Sequence, residues 1–527
     1  MTGLPTAGFE SSSAPATRRG GSTRGAGARL VIDPGFTIAE VDERLFGSFV
    51  EHMGRAVYGG IYEPGHPTAD EDGFRGDVLE LTRELGVTVV RYPGGNFVSA
   101  YDWEDGVGPR AGRPTRLDLA WRSVEPNEVG TDEFMQWARK AGTEPMLAVN
   151  LGTRGVDAAR NLVEYCNSPA GSRYADWRAD NGHPEPHGVK LWCLGNEMDG
   201  PWQVGQKTAV EYGRLAAEAG KAMRLVDPSI ELCVVGSSNS SMPTFGSWED
   251  TVLDLAWDVA DHVSLHTYYD PADYPDLDAY LACSLDLDRM IGTVVATADA
   301  VAGRKRSRKR LGLSVDEWNV WHQQANPHHT DVTGPFKHAP ALAEDDHSVA
   351  DALVVGCLLI TLLRHADRVR IGCLAQLVNV IPPMRTLDGG LAWRQTSYFP
   401  FMHASRFGRG TVLRVEADSP TYEVDGEGAV AALEATAVLD PAGALTLFAV
   451  NRADKALPVE AVLRDLDGAQ VAEHIVLTDA DLDATNTAEH PDRVTPSPGT
   501  GATIAAGVLR VELRPRSWNV VRLEVPV

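Results

Sequence analysis

The stretch Val189-Lys-Leu-Trp-Cys-Leu-Gly-Asn-Glu-Met-Asp-Gly-Pro201 is an apolar run that stops abruptly at Gly-Asn-Glu. A short apolar run that ends in a polar turn is typical of a buried strand. In a β/α barrel, the carboxyl ends of the strands are where catalytic groups stand. The pattern therefore predicts that Glu197 projects from the end of a barrel strand.

A second apolar run, Leu311-Gly-Leu-Ser-Val-Asp-Glu-Trp-Asn-Val-Trp321, carries another carboxylate, that of Glu317. Two carboxylates on separate strand ends are the minimum equipment for cleaving a glycosidic bond. One serves as the acid for the leaving oxygen, and the other as a nucleophile or base for the sugar carbon. The two runs therefore predict a glycosidase site formed by Glu197 and Glu317.

Strand-like apolar runs alternate with amphipathic helical stretches from Leu45 onward, a pattern typical of parallel β/α units. Eight such units over about 330 residues predict a (β/α)8 TIM barrel, an α/β fold. The predicted barrel strands are Leu45 to Val50, Val87 to Tyr92, Pro145 to Val149, Val189 to Leu194, Ile230 to Val235, His262 to His266, Leu311 to Val315 and Val369 to Leu374.

The sequence texture changes near residue 397. Short alternating runs such as Ala444-Leu-Thr-Leu-Phe-Ala-Val-Asn451, separated by Gly, Pro and Asp turns, predict a C-terminal antiparallel β-sandwich. Ahead of the barrel, Ala28 to Ala39 predicts one or two short strands that pair with a sheet formed later in the chain. The predicted domains are a disordered tail at 1–28, N-terminal strands at 29–44, the barrel at 45–395 and the sandwich at 396–527.

The formal net charge is −25 and the isoelectric point is near 5.0, so a nucleic-acid partner is disfavoured by repulsion from its phosphates. A neutral substrate fits this charge better. The one dense basic run, Arg304 to Arg310, has a nucleic-acid patch as its alternative interpretation. A solvated turn between a helix and a strand is the simpler one.

The six cysteines have no CxxC spacing, and several lie in apolar runs, which favours buried free thiols in a reducing compartment. Residues 1–28 lack the apolar core of a signal peptide. No run approaches the roughly 20 apolar residues that span a bilayer. The sequence therefore predicts a cytoplasmic protein with no membrane partner.

Polar side chains dominate the ends of the predicted barrel strands, as expected of a cleft that binds hydroxyl groups. For any single residue, a role in capping a turn explains the polarity equally well. The predominance of polar residues across all eight strand ends indicates a binding site. Glu51 is a third carboxylate, which we expect to bind hydroxyls rather than react. The strand-end residues are Glu51, Asn96, Asn150, Asn196, Glu197, Ser237, His266, Tyr268, Glu317 and Gln376.

Histidines near the strand ends leave a zinc hydrolase open as the main chemical alternative. However, the first strand does not end in His-x-His, and the chain contains no HExxH motif. The histidines between His322 and His347 lie in a long loop after the seventh strand, which we interpret as a lid or rim. A site without a metal or cofactor is favoured.

Blocks spread through the whole barrel resemble glycoside hydrolase family 51, the α-L-arabinofuranosidases of the large clan of retaining barrels. That family combines the barrel with a jelly-roll-like C-terminal sandwich that recruits N-terminal strands. The matching blocks are Gly47-Ser-Phe-Val-Glu-His-Met-Gly-Arg, Arg91-Tyr-Pro-Gly-Gly-Asn-Phe-Val-Ser, Asp102-Trp-Glu-Asp-Gly-Val-Gly-Pro, Trp192-Cys-Leu-Gly-Asn-Glu-Met-Asp-Gly-Pro-Trp, His266-Thr-Tyr-Tyr, Asp316-Glu-Trp-Asn-Val-Trp and Ala375-Gln-Leu-Val-Asn.

The resemblance implies that Glu197 is the general acid/base and Glu317 the nucleophile, with Arg91 and His266 supporting the carboxylates. It implies no cofactor, an arabinose-containing saccharide as the partner, and a cytoplasmic homo-oligomer, commonly a hexamer. The residues that it implies for the sugar site are Glu51, Asn96, Asn196, Tyr268, Gln376, Trp121 and Trp321.

The implied activity is that of a retaining, exo-acting α-L-arabinofuranosidase. Such an enzyme releases terminal arabinofuranosyl residues from arabinan, arabinoxylan or derived oligosaccharides by double displacement, which requires carboxyl groups about 5 Å apart. The alternatives are another retaining glycosidase of the clan, such as an endoglucanase or xylosidase, and a non-catalytic sugar-binding barrel. The presence of both Glu197 and Glu317 argues against the binding protein.

Overall fold

The computed structural model describes residues 27–325 and 334–525. Eight parallel strands close into a barrel in chain order, and each overlaps one of the predicted runs, which confirms the TIM barrel. The sixth and seventh strands run several residues past their predicted ends. The barrel strands are Gly47–Phe49, Val89–Tyr92, Glu144–Ala148, Leu191–Cys193, Glu231–Val234, His262–Tyr269, Gly312–Val320 and Val369–Ala375.

Helices surround the barrel, and most present one apolar stripe to it. The helix Val349–Arg364 is the exception, because every residue except the last is buried. It packs against both sandwich strands and barrel strands. Ser348 caps its N-terminus by accepting a hydrogen bond from the Asp351 N–H. The other helices are Gly76–Leu85, Thr131–Ala141, Val156–Asn167, Arg173–Asp180, Ala209–Val226, Ser247–Ala256, Leu277–Leu281, Ser284–Arg304 and Tyr398–Phe407.

Two large sheets form most of the C-terminal domain, and their strand pairs are antiparallel except for one parallel pair made by the first strand of the chain. A separate hairpin pairs Thr421–Val424 with Gly428–Ala431. This arrangement confirms the predicted β domain. The seven-stranded sheet has the order Thr37–Glu40, Thr411–Leu413, Leu433–Leu439, Leu445–Asn451, Ser517–Glu524, Gln470–Leu477 and Ser497–Pro498. The five-stranded sheet has the order Glu416–Asp418, Ala28–Ile32, Leu457–Leu463, Val508–Leu513 and Thr503–Ala505.

The two N-terminal strands belong to these C-terminal sheets. Ala28–Ile32 pairs in parallel with Leu457–Leu463, and Thr37–Glu40 pairs antiparallel with Thr411–Leu413. The predicted disordered tail falls largely on residues 1–26, which lie outside the described residues, and Ala28 already belongs to a strand. The chain therefore enters the sandwich before it builds the barrel.

The basic run and the cysteines behave as ordinary structural features. Arg304, Lys305 and Arg310 each pair with an aspartate, as expected of a solvated turn. All six cysteines are free and buried. Within the described residues, no helix combines the length and the apolar character needed to cross a membrane.

A buried ionic cluster joins the sandwich to the barrel. The Arg452 Nη2 atom lies 2.7 Å from Glu434 Oε2 and donates a hydrogen bond to Ser284 Oγ, also at 2.7 Å. Arg364, at the end of a barrel helix, forms an ion pair with the other oxygen of Glu434. Buried charges are tolerated when they are paired in this way.

Replacing Arg452 by Met is expected to lower the free energy of unfolding by about 3 kcal/mol, because one cation of the Glu434 carboxylate is lost inside the interface. Chemical denaturation followed by circular dichroism measures this change. Arg510→Met provides the control, since the Arg510–Glu460 pair is about half exposed, and no measurable change is expected there. Equal effects of the two substitutions would show that the interface cluster is not stabilising.

Candidate active site

A cleft of about 640 Å³ lies at the carboxyl ends of the barrel strands. It brings together most of the residues predicted from the sequence. Arg91, Asn196 and His266 are almost fully buried and contact the carboxylates of the cleft or the residues beside them. The predicted residues that line the cleft are Glu51, Asn96, Trp121, Glu197, Tyr268, Glu317, Trp321 and Gln376.

Glu317 lies inside the seventh strand, directly opposite His266 on the sixth, rather than at a strand end. Its Oε1 atom accepts a hydrogen bond from Arg91 Nη1 at 2.6 Å, and its Oε2 atom accepts one from the Tyr268 hydroxyl at 2.7 Å. These donors hold the carboxylate in one orientation. The arrangement suits a fixed nucleophile.

Glu197 occupies a strained turn after the fourth strand. Its φ is +42°, in the left-handed region that non-glycine residues rarely adopt. Its Oε1 atom lies 3.0 Å from His266 Nδ1, and its Oε2 atom accepts a hydrogen bond from Trp202 Nε1 at 2.6 Å. Burial raises the pKa of Glu197, and the charge of Glu317 adds to the rise, although the hydrogen bonds from His266 and Trp202 oppose it.

His266 stands between the two carboxylates. Its Nδ1 atom is 3.0 Å from Glu197 Oε1 and 3.6 Å from Glu317 Oε2, while Nε2 is 3.0 Å from Asp316 Oδ1. Burial alone lowers the pKa of His266, but the charge of Glu317 and the contacts with Asp316 and Glu197 outweigh it and raise the pKa to about 10. His266 is therefore an imidazolium at neutral pH.

Irregular pairing allows Asp316 and Glu317, which are consecutive in the chain, to approach the same imidazole. The register of the sixth strand shifts between Ser264 and His266, and that of the seventh shifts between Val315 and Trp318. Such bulges re-aim side chains next to active sites. Burial opposes ionisation of Asp316, yet Arg91 and His266 lower its pKa below the usual value.

The two candidate catalytic carboxylates lie close together. One oxygen of Glu197, one oxygen of Glu317 and a ring nitrogen of His266 all lie within 4.8 Å of one another. Retaining glycosidases have carboxyl groups about 5–5.5 Å apart, whereas inverting enzymes separate them by about 6.5–9.5 Å to admit a water. The observed spacing is that of a retaining site.

Glu51 is the third glutamate that lines the cleft. Its Oε1 atom accepts hydrogen bonds from the backbone N–H groups of Gly95 and Phe97, at 3.0 and 2.9 Å, and from Trp121 Nε1 at 2.9 Å. Burial and the charge of Glu317 raise the pKa of Glu51 to about 8, against the effect of these donors. Glu51 is thus positioned by three donors that all meet one of its oxygens.

Gly95 is required for the carboxylates to converge. A Cβ atom at this position would lie 2.8 Å from Glu317 Oε1 and 3.2 Å from the Asn196 side-chain nitrogen. The glycine therefore permits the close approach of the second strand's loop to the floor of the cleft. Asn196 uses its oxygen to accept a hydrogen bond from Arg91 Nη2 at 2.7 Å.

Glu197, His266 and Glu317 also have the spacing of a metal-binding group. A metal ion would need a neutral imidazole with a free ring nitrogen. Both nitrogens of His266 face carboxylates, and its raised pKa keeps it protonated. The imidazolium and Arg91 already supply the positive charge that these acids require.

Comparison with known proteins agrees with this geometry. The "Alpha-L-arabinofuranosidase 1 domain" matches residues 81–282, and the "Alpha-L-arabinofuranosidase C-terminal domain" matches residues 316–517. An "Intracellular exo-alpha-(1->5)-L-arabinofuranosidase" from Halalkalibacterium halodurans is 56% identical over 498 residues, which cover 94% of this chain and 99% of that relative. The chain belongs to the α-L-arabinofuranosidases, and a 46% identical solved structure places it in glycoside hydrolase family 51.

Further relatives of this family 51 glycoside hydrolase extend the agreement. An "Exo-alpha-(1->6)-L-arabinofuranosidase" from Bifidobacterium longum is 49% identical over 507 residues, covering 94% of this chain and 97% of that relative. The solved structure of AbfB, a family 51 α-L-arabinofuranosidase from Bifidobacterium longum, superposes with a TM-score of 0.90 at 46% identity. It covers 94% of this chain and 99% of that one. The family resemblance inferred from the sequence is confirmed.

Sequence reasoning missed two residues that contact Glu197 or His266 in this family 51 enzyme. Trp202 follows Glu197 by five positions and donates to it, and Asp316 directly precedes Glu317 and contacts His266. Both lie within the quoted motifs, but neither has a sequence signal for its role. The tight turn that returns Trp202 to Glu197 and the bulge that aims Asp316 are visible only in three dimensions.

Proposed function

We propose that this enzyme is a retaining, exo-acting α-L-arabinofuranosidase with Glu317 as the nucleophile and Glu197 as the general acid/base. The proposal rests on one observation above all, that oxygens of these two buried carboxylates lie within 4.8 Å of each other across the cleft floor. That spacing leaves room for one sugar carbon between them and no room for a separate attacking water.

In the first step, a carboxylate oxygen of Glu317 attacks the anomeric carbon, and Glu197 gives its proton to the departing glycosidic oxygen. The products are an arabinosyl ester on Glu317 and the shortened saccharide. In the second step, Glu197 takes a proton from water, and the water oxygen displaces Glu317. Arabinose leaves with the configuration it had in the substrate.

The charge arrangement supports this exchange of roles at Glu197. Burial and the negative charge of Glu317 raise the pKa of Glu197, which favours the acid form before the first step. Formation of the ester removes the charge of Glu317, so the pKa of Glu197 falls and the base form becomes available. The imidazolium of His266 contacts Glu197 in both steps and compensates its charge after proton transfer.

The remaining polar residues of the site are proposed to hold the furanose ring. Glu51 has one well-anchored oxygen and a second oxygen near Gln376, and this second oxygen is the one available to sugar hydroxyls. Trp121 and Trp321 supply apolar walls. The full proposed set is Glu51, Asn96, Asn196, Tyr268, Gln376, Trp121 and Trp321, with Arg91 and His266 as supports.

The substrate is proposed to be a terminal α-L-arabinofuranosyl unit on arabinan, arabinoxylan or their oligosaccharides. Names of relatives support both a (1→5) and a (1→6) linkage. Hydrolysis of an aryl α-L-arabinofuranoside beside aryl β-xyloside and β-glucan, with proton NMR of the first sugar released, tests the proposal. Exclusive release of α-configured arabinose is expected. Turnover of the xyloside or glucan instead, or inversion of configuration, would contradict it.

The cellular location and the oligomeric state of this enzyme are proposed from its resemblance to relatives. The names of close relatives contain "intracellular", which supports a cytoplasmic location for this enzyme. A homo-oligomer, as a hexamer, is proposed from the family resemblance. Light scattering of the purified protein would give a mass near six times 56.8 kDa if the hexamer forms, and a mass near one chain would refute it.

Asp316→Asn is expected to lower kcat on the order of 10²-fold and to move the basic limb of the kcat/KM profile to higher pH. Asparagine keeps an acceptor for His266 Nε2 but removes one of the charges that favour the imidazolium. With less positive charge 3.0 Å from Glu197, the pKa of Glu197 rises, so its acid form persists to higher pH. The direct effect of the lost Asp316 charge on the pKa of Glu197 is smaller, because Asp316 lies on the opposite side of the His266 imidazole.

The pH dependence of kcat/KM on an aryl arabinofuranoside measures this shift. Asp367→Asn is the matched control, because Asp367 forms a surface pair with Arg310. Its profile should coincide with that of the parent enzyme. If Asp316→Asn lowered kcat but left the pH profile of kcat/KM unchanged, the role of Asp316 would be purely structural.

A further inference from the structure

Trp121 lies on a short hairpin outside the barrel sheet. Arg116–Leu117 pairs antiparallel with Val124–Glu125, and residues 118–123 between them form the turn that carries the indole. The indole N–H donates a hydrogen bond to Glu51 Oε1 at 2.9 Å, and the ring lines the cleft. The position of this cleft wall therefore depends on the shape of the turn.

The Asp118 carboxylate closes the turn from within. Its Oδ1 atom accepts a hydrogen bond from the backbone N–H of Ala120 at 3.0 Å. Its Oδ2 atom accepts one from the backbone N–H of Trp121 at 2.9 Å and one from Ser123 Oγ at 3.1 Å. Asp118 is only 5% exposed. One buried side chain thus orients the backbone that carries Trp121.

A cavity of about 160 Å³ borders the hairpin, and Asp118 lines it. Leu117 and Leu119, on either side of Asp118 in the chain, are each 57% exposed, so neither side chain anchors the turn in a core. On the second strand of the hairpin, the Val124 N–H donates to the Lys337 carbonyl at 2.9 Å. The turn therefore has space in which to shift if the hydrogen bonds to Asp118 weaken.

The surroundings of Asp118 make its carboxylate easier to protonate than that of an ordinary aspartate. Burial raises the pKa of Asp118 to about 6 against the effect of its three hydrogen bonds, and the charge of Glu125 adds to the rise. The carboxylate is therefore ionised above about pH 6 and protonated below it. The other charged groups near Asp118 are Glu51 and, around the cavity, Asp102, Asp105 and Arg116.

Protonation of Asp118 conflicts with the hydrogen bonds of the turn. Its two oxygens each face a backbone N–H, that of Ala120 at Oδ1 and that of Trp121 at Oδ2. A proton on either oxygen weakens the hydrogen bond made there, because a carboxylic O–H is a poorer acceptor than a carboxylate oxygen. The ionised form supports the turn, and the protonated form does not.

We propose that Asp118 is the positioning residue for the Trp121 wall of the sugar site, and that protonation of its carboxylate loosens this wall and weakens sugar binding at acidic pH. Asp118 lies outside the cleft and acts through Trp121, whose contact with Glu51 it keeps in place. The ligand affected is the arabinofuranosyl ring. The inference rests on the proposed function, in which Trp121 is a wall of the furanose site.

Binding is measured by isothermal titration calorimetry in a Glu317→Gln background, where methyl α-L-arabinofuranoside binds without reacting. The dissociation constant of this background is expected to rise about tenfold between pH 8 and pH 5, as Asp118 is protonated. Asp118→Asn replaces one acceptor of the turn by an NH2 group. Binding should then be about tenfold weaker at pH 8 and should change little on acidification.

Asp33→Asn is the matched control. Asp33 also closes a turn, by accepting a hydrogen bond from the Gly35 N–H at 2.9 Å, but that turn is exposed and joins the two N-terminal strands. Its replacement should leave the affinity equal to that of the Glu317→Gln background at every pH. Thermal melting of each variant checks folding.

Ser123→Ala tests the proposal with the Asp118 carboxylate still present. It removes one of the three hydrogen bonds that favour the ionised form, so the pKa of Asp118 should rise. Binding at pH 8 should match the background, because the two backbone N–H groups keep their acceptor. The midpoint of the pH dependence should move up by about one unit.

Binding by Asp118→Asn as tight as that of the background at pH 8, or an unmoved midpoint in Ser123→Ala, would overturn the proposal. If Asp118→Asn did not fold, Ser123→Ala alone would decide. Failure of the proposed function looks different, because the parent enzyme would then release no arabinose and the Glu317→Gln background would bind no arabinofuranoside at any pH. If only the inference failed, the parent would be active and both variants would follow the background.

Discussion

Glu317→Gln is expected to lower kcat on an aryl α-L-arabinofuranoside by on the order of 10⁵-fold, the largest effect of any single substitution in this chain. Glutamine has nearly the same shape: its oxygen can still accept the hydrogen bond from Arg91, and its NH2 group can donate to the Tyr268 hydroxyl, which rotates to accept. It cannot form the glycosyl ester. The folded structure and sugar binding should therefore survive while the first chemical step fails.

Single-turnover kinetics with intact-protein mass spectrometry measure this loss directly. The parent enzyme should carry a transient arabinosyl adduct at Glu317, and the variant should carry none. Glu416→Gln, at an exposed position in the sandwich, is the matched control and should keep full activity. Substantial turnover by Glu317→Gln, or an adduct on another residue, would exclude Glu317 as the nucleophile.

The second large effect depends on the leaving group. Glu197→Ala should lower kcat/KM for an arabino-oligosaccharide by about 10³–10⁴-fold, because the departing sugar oxygen needs a proton. An activated aryl arabinofuranoside needs little acid help, so its first step should be much less impaired. Its second step loses the general base, and the arabinosyl enzyme should accumulate.

A burst of the aryl alcohol followed by slow steady-state turnover is the kinetic sign of that accumulation. Azide, which needs no general base, should enter the space left by the carboxylate, accelerate the slow phase and yield an arabinosyl azide with retained configuration. If Glu197→Ala impaired both substrates equally and showed no burst, the acid/base assignment would be wrong.

Much of this architecture was accessible from the chain alone. Apolar runs bounded by polar turns located all eight barrel strands, because a parallel strand buried on both faces must be continuously apolar. The same logic placed Glu197 after the fourth strand and Glu317 on the seventh. The strand ends were less accurate, since the seventh strand runs on to Val320 and leaves Glu317 inside it.

Other parts of the site could not be predicted. The pairing shift near His266 places Asp316 and Glu317 around one imidazole, yet nothing in the residue pattern marks a bulge there. The sequence analysis assigned Trp202 no role, since its contact with Glu197 depends on the path of a turn over Gly200. Charge and pKa effects were equally hidden, because they depend on burial and on distances of a few ångströms.

The linear order of residues was enough to predict the barrel and the sandwich and to nominate Glu197 and Glu317 as the two acids, because periodic burial and strand-end polarity are local properties of the chain. How near those carboxylates stand, and that the His266 imidazolium lies between them, were decided by the tertiary structure. The hydrogen bonds that Arg91, His266 and Tyr268 make to the two acids join residues from 49 to 226 positions apart, and they arise where strands close into a ring. No local pattern encodes a distance of that kind.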